Sequence, residues 1–203
     1  MILQRTLRAL LKDAATGAEL HTLVNPWASR RKFAAFAYIA EQYGYRYTGP
    51  APGISMGRSH PVFAFRRLPD APERANRTMT HYPNVQQRGP FPGMRTGGDG
   101  LTPLPETRRE IELLHARIKV DLFGKSSVKR IKRMLVAVPI GILIALAVTG
   151  NLAPVPLLVG AGITLFFFLY LWLAATIMRR GHAKYRRMLE EAGITWPLDR
   201  PGS

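Results

Sequence analysis

The chain has 203 residues, a net charge of +16 and no cysteine, which excludes disulfides, thiolate zinc sites and cysteine-ligated iron–sulfur clusters. From Met134 to Met178 it carries no Asp, Glu, Lys or Arg, so about a quarter of it reads as membrane-embedded and the remainder can hold at most one small domain. Ten of the 29 basic residues flank that run, so topology accounts for much of the charge and nucleic acid is not needed to explain it.

Residues 2–15 have the pattern of a basic amphipathic helix, with Leu3, Leu7, Leu10, Leu11 and Ala14 on one face and Arg5, Arg8 and Lys12 opposite. Such a helix either packs on its own domain or lies on a surface, and its lack of acids before Asp13 resembles a mitochondrial targeting segment. A second helix is expected between Asn25-Pro26 and Gly44, burying Phe33, Phe36, Ala37, Ala40 and Tyr43. The cations of Ser29-Arg30-Arg31-Lys32 sit in its first turn, against the helix dipole.

Tyr45–Thr48 and Val62–Arg66 alternate as half-buried strands do, joined by the Pro/Gly-rich residues 49–61. Asp70 to Leu101 shows no helical or strand period and reads as an extended or disordered segment able to wrap over a partner. Pro105–Phe123 is a strong helix, with Ile111, Leu114, Ile118 and Leu122 on one side and Leu113 and Val120 on the other, so it calls for two neighbours.

One helix through Met134–Met178 would be roughly twice the ~30 Å thickness of the hydrocarbon layer, so the run must fold back. Gly150-Asn151-Leu152-Ala153-Pro154-Val155-Pro156 supplies the turn, leaving spans at about 134–149 and 155–178. Lys125, Lys129, Arg130, Lys132 and Arg133 precede the first span, and Arg179, Arg180, Lys184, Arg186 and Arg187 follow the second. Both termini are therefore expected on the cytoplasmic or matrix side, where Lys129, Arg130, Lys132, Arg133 and the five after the second span would hold anionic lipid such as cardiolipin. Ala137, Gly141, Ala145 and Thr149 form a small-residue ridge that Gly160 and Thr164 could meet, a helix-packing surface.

Chemical motifs are missing. The histidines, His21, His60, His81, His115 and His182, stand at no metal-ligand spacing, and neither a phosphate loop nor a Gly-x-Ser-x-Gly elbow is present. Glu106, Glu110 and Glu112, and the pair Glu190-Glu191, read as charge balance. No catalytic residue, metal or cofactor is assigned, apart from bound lipid.

The expected fold is a membrane protein: a two-helix transmembrane hairpin with a small N-terminal α+β domain and an extended Pro/Gly-rich segment. Its parts are residues 1–69 (domain), 70–101 (extended segment), 102–124 (amphipathic helix), 125–187 (hairpin with basic flanks) and 188–203 (tail). The expected function is a non-catalytic accessory subunit that stabilises a large membrane complex, a respiratory complex or ATP synthase of the mitochondrial inner membrane. Its partners would be the other subunits and membrane lipid. The alternatives are a bacterial anchor that recruits a soluble partner and a small pore-forming oligomer.

Overall fold

The strand alternation of Tyr45, Tyr47, Phe63 and Phe65 is the centre of the folded domain. In the computed structural model, which describes residues 2–51, 62–85, 89–122 and 154–196 and isolated positions between 136 and 148, these four rings are at most 1 % exposed. They lie on β2 (Tyr45–Pro50) and β3 (Val62–Arg67), which pair antiparallel with a bulge between Tyr47 and Gly49. A third strand, β1 (Leu20–Val24), pairs antiparallel with β3, giving the order β1-β3-β2. The sequence shows no strand there, because its hydropathy does not follow its burial: His21 is the buried residue, whereas Leu20 and Val24 are exposed.

The buried sheet face packs on α2 (Arg30–Gln42), whose Phe33 ring lies 4.6 Å from that of Phe63. Phe33, Phe36, Ala37, Ala40 and Tyr43 are all buried, as the stripe predicted. The strand aromatics are thus core, closed to stacking by a base, while Arg46 and Arg66 stand opposite each other in register on the exposed face. The helix starts at Arg30 rather than at Pro26, and Ser29 makes no side-chain cap bond. Gly44 ends the turn after it at φ +88°, and a Cβ there would lie 2.4 Å from Ala71. Both the backbone angle and the contact require glycine.

In α1 (Ile2–Ala15), Leu3, Leu7 and Leu10 are buried, so its apolar face is used within the domain. Asp13 at its end meets Nδ1 of the buried His21 at 2.7 Å.

Residues 70–101 differ from their aperiodic reading. They contain α3 (Ala71–His81), opened by Pro72 in its first turn and tied to α2 by the Thr78 hydroxyl, which donates to the Gln42 carbonyl at 2.8 Å. Only Ala71 and Thr78 are buried on this helix, too little for an apolar stripe to show. Farther on, Phe91, Met94 and Leu101 are buried, and the Thr107 hydroxyl donates to Gly93 O at 2.6 Å. Then α4 (Arg108–Leu122) buries Ile111, Leu114, Ile118 and Val120, the two sides expected.

The chain divides into two units: Met1–Asp121 with Met188–Ser203, and Leu122–Arg187. The first unit therefore takes in residues beyond the uncharged run, where Leu189 and Trp196 are 1 % and 8 % exposed.

Most of the second unit's described residues belong to α5 (Pro154–Glu191), which begins at the proline read as a helix start. At about 1.5 Å per residue its 38 residues extend roughly 57 Å, of which the stretch to Met178 suffices for ~30 Å of hydrocarbon. Val155, Leu158, Phe166, Tyr170 and Trp172 along it are exposed. By length and composition this helix could cross a membrane. The first span, 134–149, lies outside the described residues except for isolated positions. Of these, Val136, Ile140, Ile144 and Val148 are helical and exposed.

Candidate functional site

The basic residues after the apolar stretch of α5 fall within little more than two turns. Arg179, Arg180, Lys184, Arg186 and Arg187 are all exposed. Arg180, Lys184 and Arg187 share one face at i, i+4 and i+7 spacing, which gives a ladder of cations over roughly 10 Å of axis. Such a ladder suits anionic headgroups, at about 1 kcal/mol per cation near the surface. Lys129, Arg130, Lys132 and Arg133 lie outside the described residues.

Of the small-residue ridge, Ala137 is exposed, and at Gly141 a Cβ would meet nothing within 4 Å among the described residues. Ala145 and Thr149 lie outside the described residues. Gly160 is buried, and its carbonyl accepts from the Thr164 hydroxyl at 2.8 Å, so the structure joins these two within α5.

A different site emerges in the first unit, one that sequence analysis did not identify. A cleft of about 460 Å³ opens between α2, β2, α3, α4 and residues 194–196. This is within the ~300–1,000 Å³ range of small-ligand pockets. Its apolar wall is Leu113, Leu114, Ile194 and the Trp196 indole. Three arginines line it, and two have acids beside them: Arg46 Nε donates to Glu41 at 2.8 Å and Arg74 Nε to Asp70 at 2.7 Å.

The third, Arg117, stands over the Trp196 ring at 5.4 Å. Its Nε is buried and finds no acceptor among the described residues. Burial disfavours its charged form and the nearby Arg46 adds repulsion, while Glu41 acts the other way. Tyr38 also borders the cleft, and burial, with Glu110, Tyr82 and Glu41 nearby, raises its hydroxyl above the ordinary tyrosine range.

The chain matches no family model, no curated protein and no solved structure.

Trp196 holds that geometry together. Its ring stacks on Tyr47 at 5.9 Å and 22°, and its Nε1–H donates to Asp121 Oδ1 at 3.2 Å. The Tyr47 hydroxyl donates to Asp121 Oδ2 at 2.8 Å, so one carboxylate ties β2, α4 and the returning chain. Two groups combine here that the sequence offers separately: an arginine on the flank of α4 and a tryptophan just beyond the Gly193 turn that follows α5. Nothing in their spacing pairs them.

The histidines stay apart. His21 is held by Asp13, His81 Nδ1 lies 2.8 Å from the Arg77 carbonyl on its own helix, and His115 and His182 belong to α4 and α5. His60 lies outside the described residues.

Proposed function

We propose that this protein is a membrane-anchored, non-catalytic accessory subunit that stabilises a large membrane complex. The observation that carries the proposal is α5, whose exposed apolar surface continues through a cationic ladder into Leu189, part of the folded domain's core. An apolar helix so exposed needs lipid or other helices around it, and the uncharged run offers no intramembrane ionisable group for transport. In this proposal Met134–Met178 is a two-helix hairpin with both termini on one side. The host is a respiratory complex or ATP synthase of the mitochondrial inner membrane, a placement supported by the +16 charge and a basic flank suited to cardiolipin. The amphipathic α1 no longer supports it independently, because packing in the domain explains its pattern.

Mild detergent extraction followed by native gel electrophoresis tests the proposal. Migration of this chain in a very large band with respiratory or ATP synthase subunits is expected; migration as a small species refutes it. The folded domain with its own cleft favours a second role, an anchor that recruits a soluble partner. That role predicts the small species, with one soluble protein co-migrating.

A further inference from the structure

We infer that the cleft between α2, α4 and Trp196 is a binding site for a small amphiphilic oxyanion, a carboxylate or phosphate ester carrying an apolar body. The anchor of the site is Arg117. A guanidinium taken partly out of water is costly unless an acceptor meets it, and its buried Nε has none among the described residues. Glu41, the acid whose charge acts on it, is already engaged by Arg46 at 2.8 Å. A bidentate oxyanion in the cleft is the acceptor that suits the planar fork of such a guanidinium.

The rest of the cleft sets the ligand's other half. The Trp196 face fixes the guanidinium plane from one side, and Leu113, Leu114 and Ile194 provide an apolar surface next to it. Arg46 and Arg74 add positive potential, whereas Glu41 and Glu110 limit the total charge the site accepts. A small singly or doubly charged head is favoured over a polyanion. This inference does not depend on which complex hosts the protein.

The test uses the full chain in phosphatidylcholine nanodiscs, titrated calorimetrically with hexyl phosphate and with hexanoate. Saturable binding of at least one is expected, with hexanol and inorganic phosphate each about tenfold or more weaker, a loss of ~1.4 kcal/mol. Arg117→Gln should weaken binding at least tenfold, and Arg117→Lys should restore part of it. Arg5→Gln, on the exposed side of α1, should leave it unchanged. Because Arg117→Gln could disturb folding, Leu113→Trp provides a second variant that fills the cleft and keeps the arginine; it too should abolish binding.

Displacement of hexyl phosphate by dihexanoyl phosphatidic acid would identify a membrane lipid as the source, and failure to displace it a soluble metabolite. Both outcomes support the site. Absence of saturable binding, equal binding of hexanol or inorganic phosphate, or full binding by folded Arg117→Gln would overturn it.

Discussion

Replacing Trp196 by alanine should loosen one whole wall of the folded domain. The indole is 8 % exposed, so close to 200 Å² of aromatic surface leaves water at ~25 cal/mol per Å², about 5 kcal/mol before relaxation. Measured aromatic-to-alanine losses in cores of ~3–5 kcal/mol set the same scale. The variant also removes the donor to Asp121 and the ring beneath Arg117. Against a typical domain stability of ~5–15 kcal/mol this is severe but survivable. Trp196→Phe keeps most of the packing and loses only the hydrogen bond to a carboxylate that Tyr47 still satisfies, so about 1–2 kcal/mol is expected. Hydrogen exchange in nanodiscs reads this directly. Amides of residues 108–122 and 45–50 that exchange through domain opening should do so about a hundredfold faster or more in the alanine variant, at ~1.4 kcal/mol per decade. Those of residues 158–178 should not change. Unaltered exchange in 108–122 would mean that the returning chain contributes nothing to the domain.

Other perturbations test other parts. Burial, with repulsion from Lys119, Arg31 and Arg30, lowers the His115 imidazole to about 4. The unfolded chain, near ~6.5, therefore takes up a proton that the folded domain refuses, and stability is lost as pH falls from ~6.5 toward 4. Thermal unfolding at about pH 7 and about pH 5 should show a smaller loss in His115→Gln than in the parent chain; equal losses would refute the assignment. Gly44→Ala combines a left-handed backbone angle, about 1–2 kcal/mol, with overpacking against Ala71, about 1–3 kcal/mol. It should lower the unfolding midpoint distinctly, whereas a neutral result would show that the start of α3 yields freely. Replacing Arg180, Lys184 and Arg187 together by Gln should remove up to about 3 kcal/mol of headgroup attraction and reduce cardiolipin retention in native mass spectrometry. Unchanged retention would eliminate the cationic ladder as a lipid site.

Periodicity explains which elements the sequence exposed. Tyr45, Tyr47, Phe63 and Phe65 alternate because one sheet face is buried, and Phe33, Phe36, Ala37 and Ala40 recur because α2 lies on that face. Helix α3 left no such mark: its attachment is Ala71 beneath Gly44 and a single Thr78 hydrogen bond, neither of which is an apolar stripe. Phe91, Met94 and Leu101 looked like residues of a wrapping segment, and in the structure they are core that lies outside any helix or strand, with Met94 making one isolated antiparallel bridge to Pro103. The basic flank was legible because positive charge beside an apolar run has a topological meaning in itself. The cleft was not, since Arg117 gains its significance only when Trp196 arrives from the far side of the uncharged run.

That arrival has a consequence for dissecting the protein. Tyr47 and Asp121 precede the uncharged run and Trp196 follows it, yet the three form one cluster, with ring spacing of 5.9 Å and hydrogen bonds of 2.8 and 3.2 Å. A fragment ending at residue 122 would expose the Tyr47 ring and lose the Trp196 donor to Asp121, forfeiting about the same ~3–5 kcal/mol as the alanine substitution. Joining residues 2–122 to 188–196 through a flexible Gly/Ser linker long enough to span them should restore it, because the Trp196 contacts to Asp121 and Tyr47 fix where the second piece docks and the closure cost grows only slowly with linker length. Chemical unfolding of the two fragments decides the matter. The joined fragment should have the higher midpoint at a similar or steeper slope, since it buries more surface. Equal midpoints would show that residues 2–122 are sufficient, and the domain would then be continuous in sequence after all.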